Sequence, residues 1–216
     1  MKKLLIVIFT ILLTSCSTSS RVATPEFNQR GDSTVKEISH HRILIMSNLA
    51  NLNNTYYCSA AVVKYKDKVR VITNNHCCGH DLIMYKDGLS SVLKTSPAKD
   101  LCEISPIDEK EGIELAEATP KLTSTVTMIG SYPFYNTYVL NPIESRIIGY
   151  DKFTVPQIGL DADIVLTNRE VYHGMSGGPV IANGKLVGIN MVTFLHEQRN
   201  MSGFIPVEVI RAFLDE

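Results

Sequence analysis

The chain has 216 residues, of which 44% are hydrophobic and 20% are charged, the composition of an ordinary globular protein. That length is enough for one domain, or for two small halves that share one site. The formal net charge is −1, which excludes a general electrostatic attraction to nucleic acid or to anionic membranes. We therefore expect no nucleic-acid partner.

The first 15 residues have the pattern of a signal peptide. Two lysines precede an apolar run, Leu4–Leu13, that only Thr10 interrupts. The run is shorter than the about 20 apolar residues that a membrane-spanning helix needs. It has the length of the apolar region of a signal peptide. Residues 1–15 are therefore predicted to direct export.

The next feature is a cysteine at the end of this segment. The sequence Leu13–Cys16 (LTSC) resembles the bacterial lipobox, in which the cysteine is lipidated and becomes the first mature residue. Cys16 is thus the predicted site of a lipid that attaches the protein to the membrane. Ser17 follows it, which by resemblance to sorting rules favours the outer membrane in a host with two membranes. The alternative is an ordinary signal peptide with a chance cysteine. Residues 16–40, polar and rich in Ser and Thr, predict a flexible tether.

From residue 41 onward, short apolar and β-branched runs alternate with polar turns, which predicts a β-rich domain. The strand series begins at Ile43, and an acidic loop-like stretch divides it. We expect one half at about 41–117 and a second at about 118–205. Edge strands in such chains are usually removed by closing each half into a barrel. The segment 206–215 has apolar residues at helical spacing and predicts one short helix.

Residues 174–179 (GMSGGP) have the composition of a turn that carries a nucleophilic serine. Such a serine needs its hydroxyl exposed on a tight turn and backbone N–H groups directed at the developing oxyanion. Glycines on both sides of Ser176 allow the backbone to adopt that conformation. A plain glycine turn is the alternative when the motif is considered alone.

Two further segments supply a base and a carboxylate. Val71–Cys77 (VITNNHC) is a β-branched run that ends in a polar turn with His76, and histidine is the usual base that activates a serine. Asp100 opens the apolar run DLCEI, where a fixed carboxylate would accept the second ring N–H of a histidine. Asp81 and Asp87 are the competing carboxylates, but neither leads a strand in the same way.

Together these motifs resemble the trypsin-like proteases of bacteria, most closely the HtrA-type protease domain. The order His, Asp, Ser is that of the chymotrypsin family. The segments 126–133 (VTMIGSYP), 185–190 (KLVGIN) and 203–207 (GFIPV) also resemble this family, so that the resemblance covers about residues 42–214. It implies an all-β fold of two six-stranded antiparallel β-barrels of the chymotrypsin type, with a short C-terminal helix.

The resemblance also implies an activity: a serine endopeptidase for polypeptide substrates that needs no cofactor and no metal. Ser176 would attack the scissile carbonyl, His76 would move the proton, and Asp100 would orient His76. The backbone N–H groups of Gly174 and Ser176 would form the oxyanion hole. The candidates for the substrate pocket lie just before Ser176 and on the strand from Gly188: Glu170, Tyr172, His173, Asn190, Met191 and Val192.

The sequence also departs from parts of this family. Met175 precedes Ser176, where digestive trypsin-like enzymes have an aspartate. Since the chain has no I-V-G-G-like segment either, we expect no activation by a newly freed N-terminus. No PDZ module follows the helix, and we therefore expect a monomer.

Besides Cys16, four cysteines remain, an even number that favours disulfides in an exported chain. By resemblance to the disulfide that closes the histidine loop in chymotrypsin-like enzymes, Cys58–Cys77 is the preferred pair. Cys78–Cys102 then remains as the second. The alternative is a zinc site of these cysteines with His76 or His80.

Two other functions compete with this interpretation. The sequence GMSGG also fits the G-x-S-x-G turn of α/β-hydrolases. That fold needs a helix after the serine, whereas the Pro-Val-Ile that follows here predicts a strand. The second competitor is a non-catalytic lipoprotein of protease fold that binds a partner or supports the envelope.

Overall fold

The computed structural model describes residues 57–78, 82–85, 88–134, 137–196 and 199–216. The predicted signal peptide, Cys16, the tether and the strand at Ile43 lie outside these residues, as do the competing carboxylates Asp81 and Asp87. None of the helices in the described part of the chain is long and apolar enough to cross a membrane.

The first half is a six-stranded sheet with the order β3-β4-β5-β2-β1-β6. The sheet is antiparallel except for β1 and β6, which run parallel. Its strands are β1 (Ala61–Tyr65), β2 (Lys68–Thr73), β3 (Leu82–Tyr85), β4 (Gly88–Ser96), β5 (Leu101–Ile104) and β6 (Ile113–Glu114).

The parallel pair is the one departure from the expected antiparallel arrangement. A tight hairpin would place β6 antiparallel to β5. Instead, β6 runs in the same direction as β5, and β2 and β1 lie between the two strands. Ile104 pairs with Val71, which faces Val62, and Ile113 pairs with Val63, so that β6 begins at about the level where β5 ends. The connection 105–112 therefore passes β2 and β1 to reach the edge of the sheet. Within the described residues β3 and β6 lie at the edges of the sheet, so that closure of this half stays a prediction.

The second half is a closed barrel with the order β10-β11-β12-β9-β8-β7, in which β7 pairs again with β10. All its pairings are antiparallel, and closure leaves no free sheet edge. Its strands are β7 (Thr125–Phe134), β8 (Thr137–Val155), β9 (Leu160–Thr167), β10 (Pro179–Ala182), β11 (Lys185–His196) and β12 (Arg199–Pro206).

The helix α1 (Val207–Asp215) ends the chain and contributes Ile210 and Phe213 to the core. These side chains pack in one apolar cluster with Ile72 from the first half and Ile189 from the second. Because both halves bury side chains in this common cluster, the loops that meet at their seam are held on a rigid base.

Candidate active site

His76 and Asp100 come together because β2 and β5 are neighbours in the first sheet. Thr73 near the end of β2 pairs with Cys102 near the start of β5, so that the next residues of one strand face the preceding residues of the other. The ring Nδ1 of His76 lies 2.8 Å from Oδ2 of Asp100. The backbone N–H of His76 also donates to Oδ1 of the same carboxylate, over 2.9 Å.

Two contacts of Asp100 explain how its carboxylate is held. The residue is 4% exposed and has a φ of 51°, in the left-handed region that Asp and Asn tolerate better than most residues. Its carbonyl accepts a hydrogen bond from Nδ2 of Asn74, over 3.2 Å, and its N–H donates to the carbonyl of Pro97. Sequence reasoning missed Asn74, since an asparagine in a strand-to-turn segment has many possible partners.

Two disulfides surround this pair. Cys58–Cys77 joins the residue after His76 to the segment before β1, and Cys78–Cys102 joins the histidine loop to β5. This is the pairing that the resemblance implied. Sulfur atoms of Cys58 and Cys77 lie within 4.8 Å of a His76 ring nitrogen. A thiolate and not a disulfide is the metal ligand, so that in this pairing the four cysteines offer zinc no thiolate. His80, the other histidine of the zinc alternative, lies outside the described residues.

The serine lies on the loop between β9 and β10. The N–H of Met175 donates to the carbonyl of Tyr172 over 3.0 Å and closes a four-residue turn. Gly174 is the third residue of this turn and has a φ of 99°, the sign that a type II turn requires there and that favours glycine. In a type I turn the central peptide group, which carries the Gly174 N–H, would point in the opposite direction.

The segment after Ser176 is fixed by close backbone contacts. The N–H of Gly177 donates to the carbonyl of Asn190, and the N–H of Asn190 donates to the carbonyl of Gly178, each over 2.8 Å. A Cβ at Gly177 would lie 2.1 Å from the hydroxyl of Thr73. The chain continues directly into β10, which is the strand that the sequence predicted after the serine and not the helix of an α/β-hydrolase.

Among the hydrogen bonds of the described residues, none joins the Ser176 hydroxyl to His76. The hydroxyl lies 3.5 Å from the carbonyl of Met191, a long distance for an O–H···O bond. Apo active sites often have loose catalytic hydrogen bonds that tighten only with substrate.

His76, Asp100 and Ser176 line one cavity of about 670 Å³. Of the predicted pocket residues, five lie in its wall: Glu170, Tyr172, His173, Met191 and Val192.

Asn190 does not lie in that wall. It is 0% exposed, and its Nδ2 donates to the carbonyl of Ile129 over 2.9 Å. The pairing of β11 with β12 shifts register between Asn190 and Val192, so that strict alternation fails there: Met191 and Val192 both line the wall, whereas Asn190 does not. The sequence position next to Met191 therefore did not make Asn190 a pocket residue.

The structure adds an apolar wall that sequence reasoning missed, because its residues come from distant parts of the chain. They are Pro97 before Asp100, and four residues at the β8–β9 connection: Phe153, Val155, Ile158 and Leu160.

Hydrogen bonds also fix the pocket beside Ser176. The Thr193 hydroxyl donates to the carbonyl of Val171 over 2.7 Å, and the N–H of Val171 donates to the Ser202 hydroxyl over 2.8 Å. These bonds link the segment before Ser176 to β11 and β12. The two sides of the pocket therefore form one connected wall.

Solved structures of similar fold are known. The active form of the Rv3671c protease from M. tuberculosis has a TM-score of 0.68 and 19% identity, over 84% of this chain and 82% of that one. The inactive form has a TM-score of 0.64 and 20% identity, over 84% and 91%. The HtrA-type protease AlgW, solved with a tripeptide, has a TM-score of 0.62 and 17% identity, over 85% and 63%.

The chain has the chymotrypsin-type fold. No family model matches the sequence, and no curated protein matches it. At such low identity the likeness extends to the fold, and a fold alone does not specify a function. The function has to be argued from the residues of the site.

Proposed function

We propose that this protein is a serine endopeptidase that cleaves polypeptides through an acyl-enzyme intermediate. The observation that carries the proposal is the His76–Asp100 pair, which lies in the same cavity wall as Ser176, at the seam of the two halves. Ser176 is the nucleophile, His76 the base and Asp100 the orienting carboxylate. Residues 41–216 form the protease domain in this proposal.

The reaction follows from the contacts of these three residues. Oγ of Ser176 attacks the substrate carbonyl carbon while Nε2 of His76 takes the hydroxyl proton. Asp100 holds Nδ1 of His76 in its protonated form, so that Nε2 is the nitrogen able to accept. His76 then gives the proton to the leaving amine, and a water molecule repeats the sequence to release the acid.

The oxyanion hole consists of the N–H groups of Gly174 and Ser176 in this proposal. The positive φ of Gly174 supports this assignment, since it sets the direction of the peptide that carries the Gly174 N–H. One such donor typically contributes roughly 3 kcal/mol to transition-state stabilisation. The pocket beside the nucleophile includes Glu170, His173, Met191 and Val192.

We also propose that the protein works outside the cytoplasm, attached to the envelope by a lipid on Cys16. The two disulfides support export, because they persist in oxidising compartments. The lipobox-like sequence at Cys16 supports the lipid, with the outer membrane favoured in a host that has two membranes. The occupant of the cavity is a polypeptide, and we expect the protein to act as a monomer.

A fluorophosphonate probe tests the proposed chemistry. Oγ of an activated Ser176 would bond to phosphorus, fluoride would leave, and the hydroxyl proton would pass to His76. We expect the oxidised full chain to be labelled, and labelling to be lost in Ser176→Ala and in His76→Ala. Ser91→Ala is the matched control, because Ser91 is exposed on β4 away from the cavity. Labelling that survives Ser176→Ala would contradict the proposal.

One observation favours a second candidate, a non-catalytic binding protein. Among the described residues, Ser176 Oγ lies 3.5 Å from the Met191 carbonyl and makes no hydrogen bond to His76. If this arrangement is the resting state and never changes, the cavity would bind peptides without cleaving them. A folded wild-type chain that binds peptides but is not labelled by fluorophosphonate would favour this candidate.

A further inference from the structure

Ser59 is a buried hydroxyl residue with no role in the triad. It lies between Cys58 and the start of β1, in the part of the chain that forms the first half. It is 0% exposed, so water cannot replace its hydrogen-bond partners. All four of its polar contacts are made, and three of them reach across the seam to the second half.

The hydroxyl of Ser59 has a single possible direction. It accepts a hydrogen bond from the backbone N–H of Ser131 over 2.9 Å, and an N–H can only donate. Its own proton is therefore left for the carbonyl of Gly174, 2.8 Å away, which can only accept. Such chains of hydrogen bonds polarise one another inside a protein.

The backbone of Ser59 makes the other two contacts. Its N–H donates to the carbonyl of Ser176 over 2.7 Å. Its carbonyl accepts the hydroxyl proton of Thr73 over 2.8 Å. One residue thus holds carbonyl groups on both sides of Met175, in the loop that carries the nucleophile.

These contacts bracket the N–H of Ser176. The carbonyl of Gly174 and the N–H of Met175 belong to one peptide group, which Ser59 and Tyr172 hold from opposite ends. The carbonyl of Ser176 belongs to the peptide group that follows Ser176, and Ser59 holds it too. The peptide group that carries the Ser176 N–H lies between these two fixed groups.

Ser59 is also coupled to the histidine side of the site. Its neighbour Cys58 is bonded to Cys77, the residue after His76. Thr73, which binds the Ser59 carbonyl, lies three residues before His76. The nucleophile loop and the histidine loop are therefore connected through Ser59 over a few rigid contacts.

We propose that Ser59 is a positioning residue that sets the loop 172–176, which carries the proposed oxyanion N–H groups of Gly174 and Ser176, relative to His76. Its catalytic consequence rests on the proposed function, whereas its effect on the turn does not. Without the hydroxyl, the buried Ser131 N–H and the buried Gly174 carbonyl each lose a partner. The turn would then be free to move away from the geometry that an oxyanion needs.

The test is Ser59→Ala in the full oxidised chain, with Ser90→Ala as the matched control. Ser90 is 2% exposed, and its hydroxyl also donates to a backbone carbonyl, that of Ser105, over 2.5 Å, but on β4 away from the cavity. Both substitutions remove one buried hydroxyl, and both should lower the stability by similar amounts. The readouts are the fluorophosphonate labelling rate and the hydrogen-exchange rate of the Met175 N–H.

We expect Ser59→Ala to lower the labelling rate roughly 10- to 100-fold, because the free-energy cost of leaving a buried polar group without a partner corresponds to about this range. We expect the Met175 N–H to exchange about 10-fold faster or more, because its turn opens more often. Ser90→Ala should change neither rate by more than about 3-fold. Equal effects of the two substitutions on both readouts would overturn the proposal.

The two readouts also separate this proposal from the proposed function. If the wild-type chain is inert to fluorophosphonate and Met175 exchange still rises only in Ser59→Ala, the endopeptidase proposal fails and the positioning role stands. If Ser59→Ala does not fold, Ser59→Thr keeps the hydroxyl and should retain both wild-type rates within about 3-fold. A folded Ser59→Thr with a fast-exchanging Met175 N–H would overturn the positioning role.

Discussion

Replacing Asp100 by asparagine should reverse the tautomer of His76 while leaving the fold intact. The backbone N–H of His76 lies 2.9 Å from one carboxylate oxygen, and the ring Nδ1 lies 2.8 Å from the other. A backbone N–H can only donate, and the His76 N–H therefore keeps its hydrogen bond to the amide oxygen of the substituted side chain. The amide NH₂ must then face Nδ1. Nδ1 becomes an acceptor, the proton moves to Nε2, and the base cannot take the proton of Ser176.

The size of the loss follows from that argument. A serine without a usable base retains only the contribution of the oxyanion hole and of substrate binding. We expect Asp100→Asn to lower the fluorophosphonate labelling rate by about 10³- to 10⁴-fold, equivalent to about 4–5.5 kcal/mol of activation free energy. The fold should be retained, because asparagine tolerates the φ of 51° at this position.

The assay is the second-order labelling rate at neutral pH, measured beside the unfolding midpoint in denaturant. Asp108→Asn is the matched control, because Asp108 also has a positive φ of 53° but is exposed outside the cavity wall. Near wild-type labelling of a folded Asp100→Asn would refute the tautomer argument. It would also remove Asp100 from the proposed triad.

Three further predictions concern the frame of the site. Opening the Cys78–Cys102 disulfide by a double serine substitution should lower the unfolding free energy by about 2–5 kcal/mol, seen as a shift of the denaturation midpoint. Gly177→Ala should abolish labelling in a chain that is still folded, because the added Cβ would lie 2.1 Å from the Thr73 hydroxyl. Normal labelling of this variant would contradict the close approach. The carboxylate of Glu208 loses solvation, but hydrogen bonds from the N–H and the hydroxyl of Thr119 outweigh this and lower its pKa. Because its pKa is lowered in the folded state, the ionised Glu208 carboxylate stabilises the fold at pH values above the ordinary pKa of a glutamate. This contribution is lost as the pH falls through the lowered pKa. Glu208→Gln should therefore flatten the acid side of the stability curve, and an unchanged curve would refute the assignment.

Local patterns in the sequence were sufficient to propose the residues that would carry the chemistry. A strand that ends in His76, a carboxylate that opens a strand and a serine between glycines are each features of a few consecutive residues. These residues could be recognised because the backbone conformation at each position restricts which residue types fit there. Glycine adopts the positive φ at Gly174 and Gly177 without the strain that a side chain would add. Short apolar and β-branched runs between polar turns similarly indicated the strands, and apolar residues at helical spacing indicated the final helix.

The contacts that position those residues were decided by the tertiary structure alone. Ser59 and Gly174 are 115 positions apart in the chain, and the apolar wall joins Pro97 to the β8–β9 connection. Neither contact leaves a periodic signal, because each depends on how the two halves pack. The same holds for Asn190, which β11 turns away from the cavity. Residue types and their local backbone needs are properties of the sequence, whereas the partner of a buried polar group is fixed only when distant segments exclude water together.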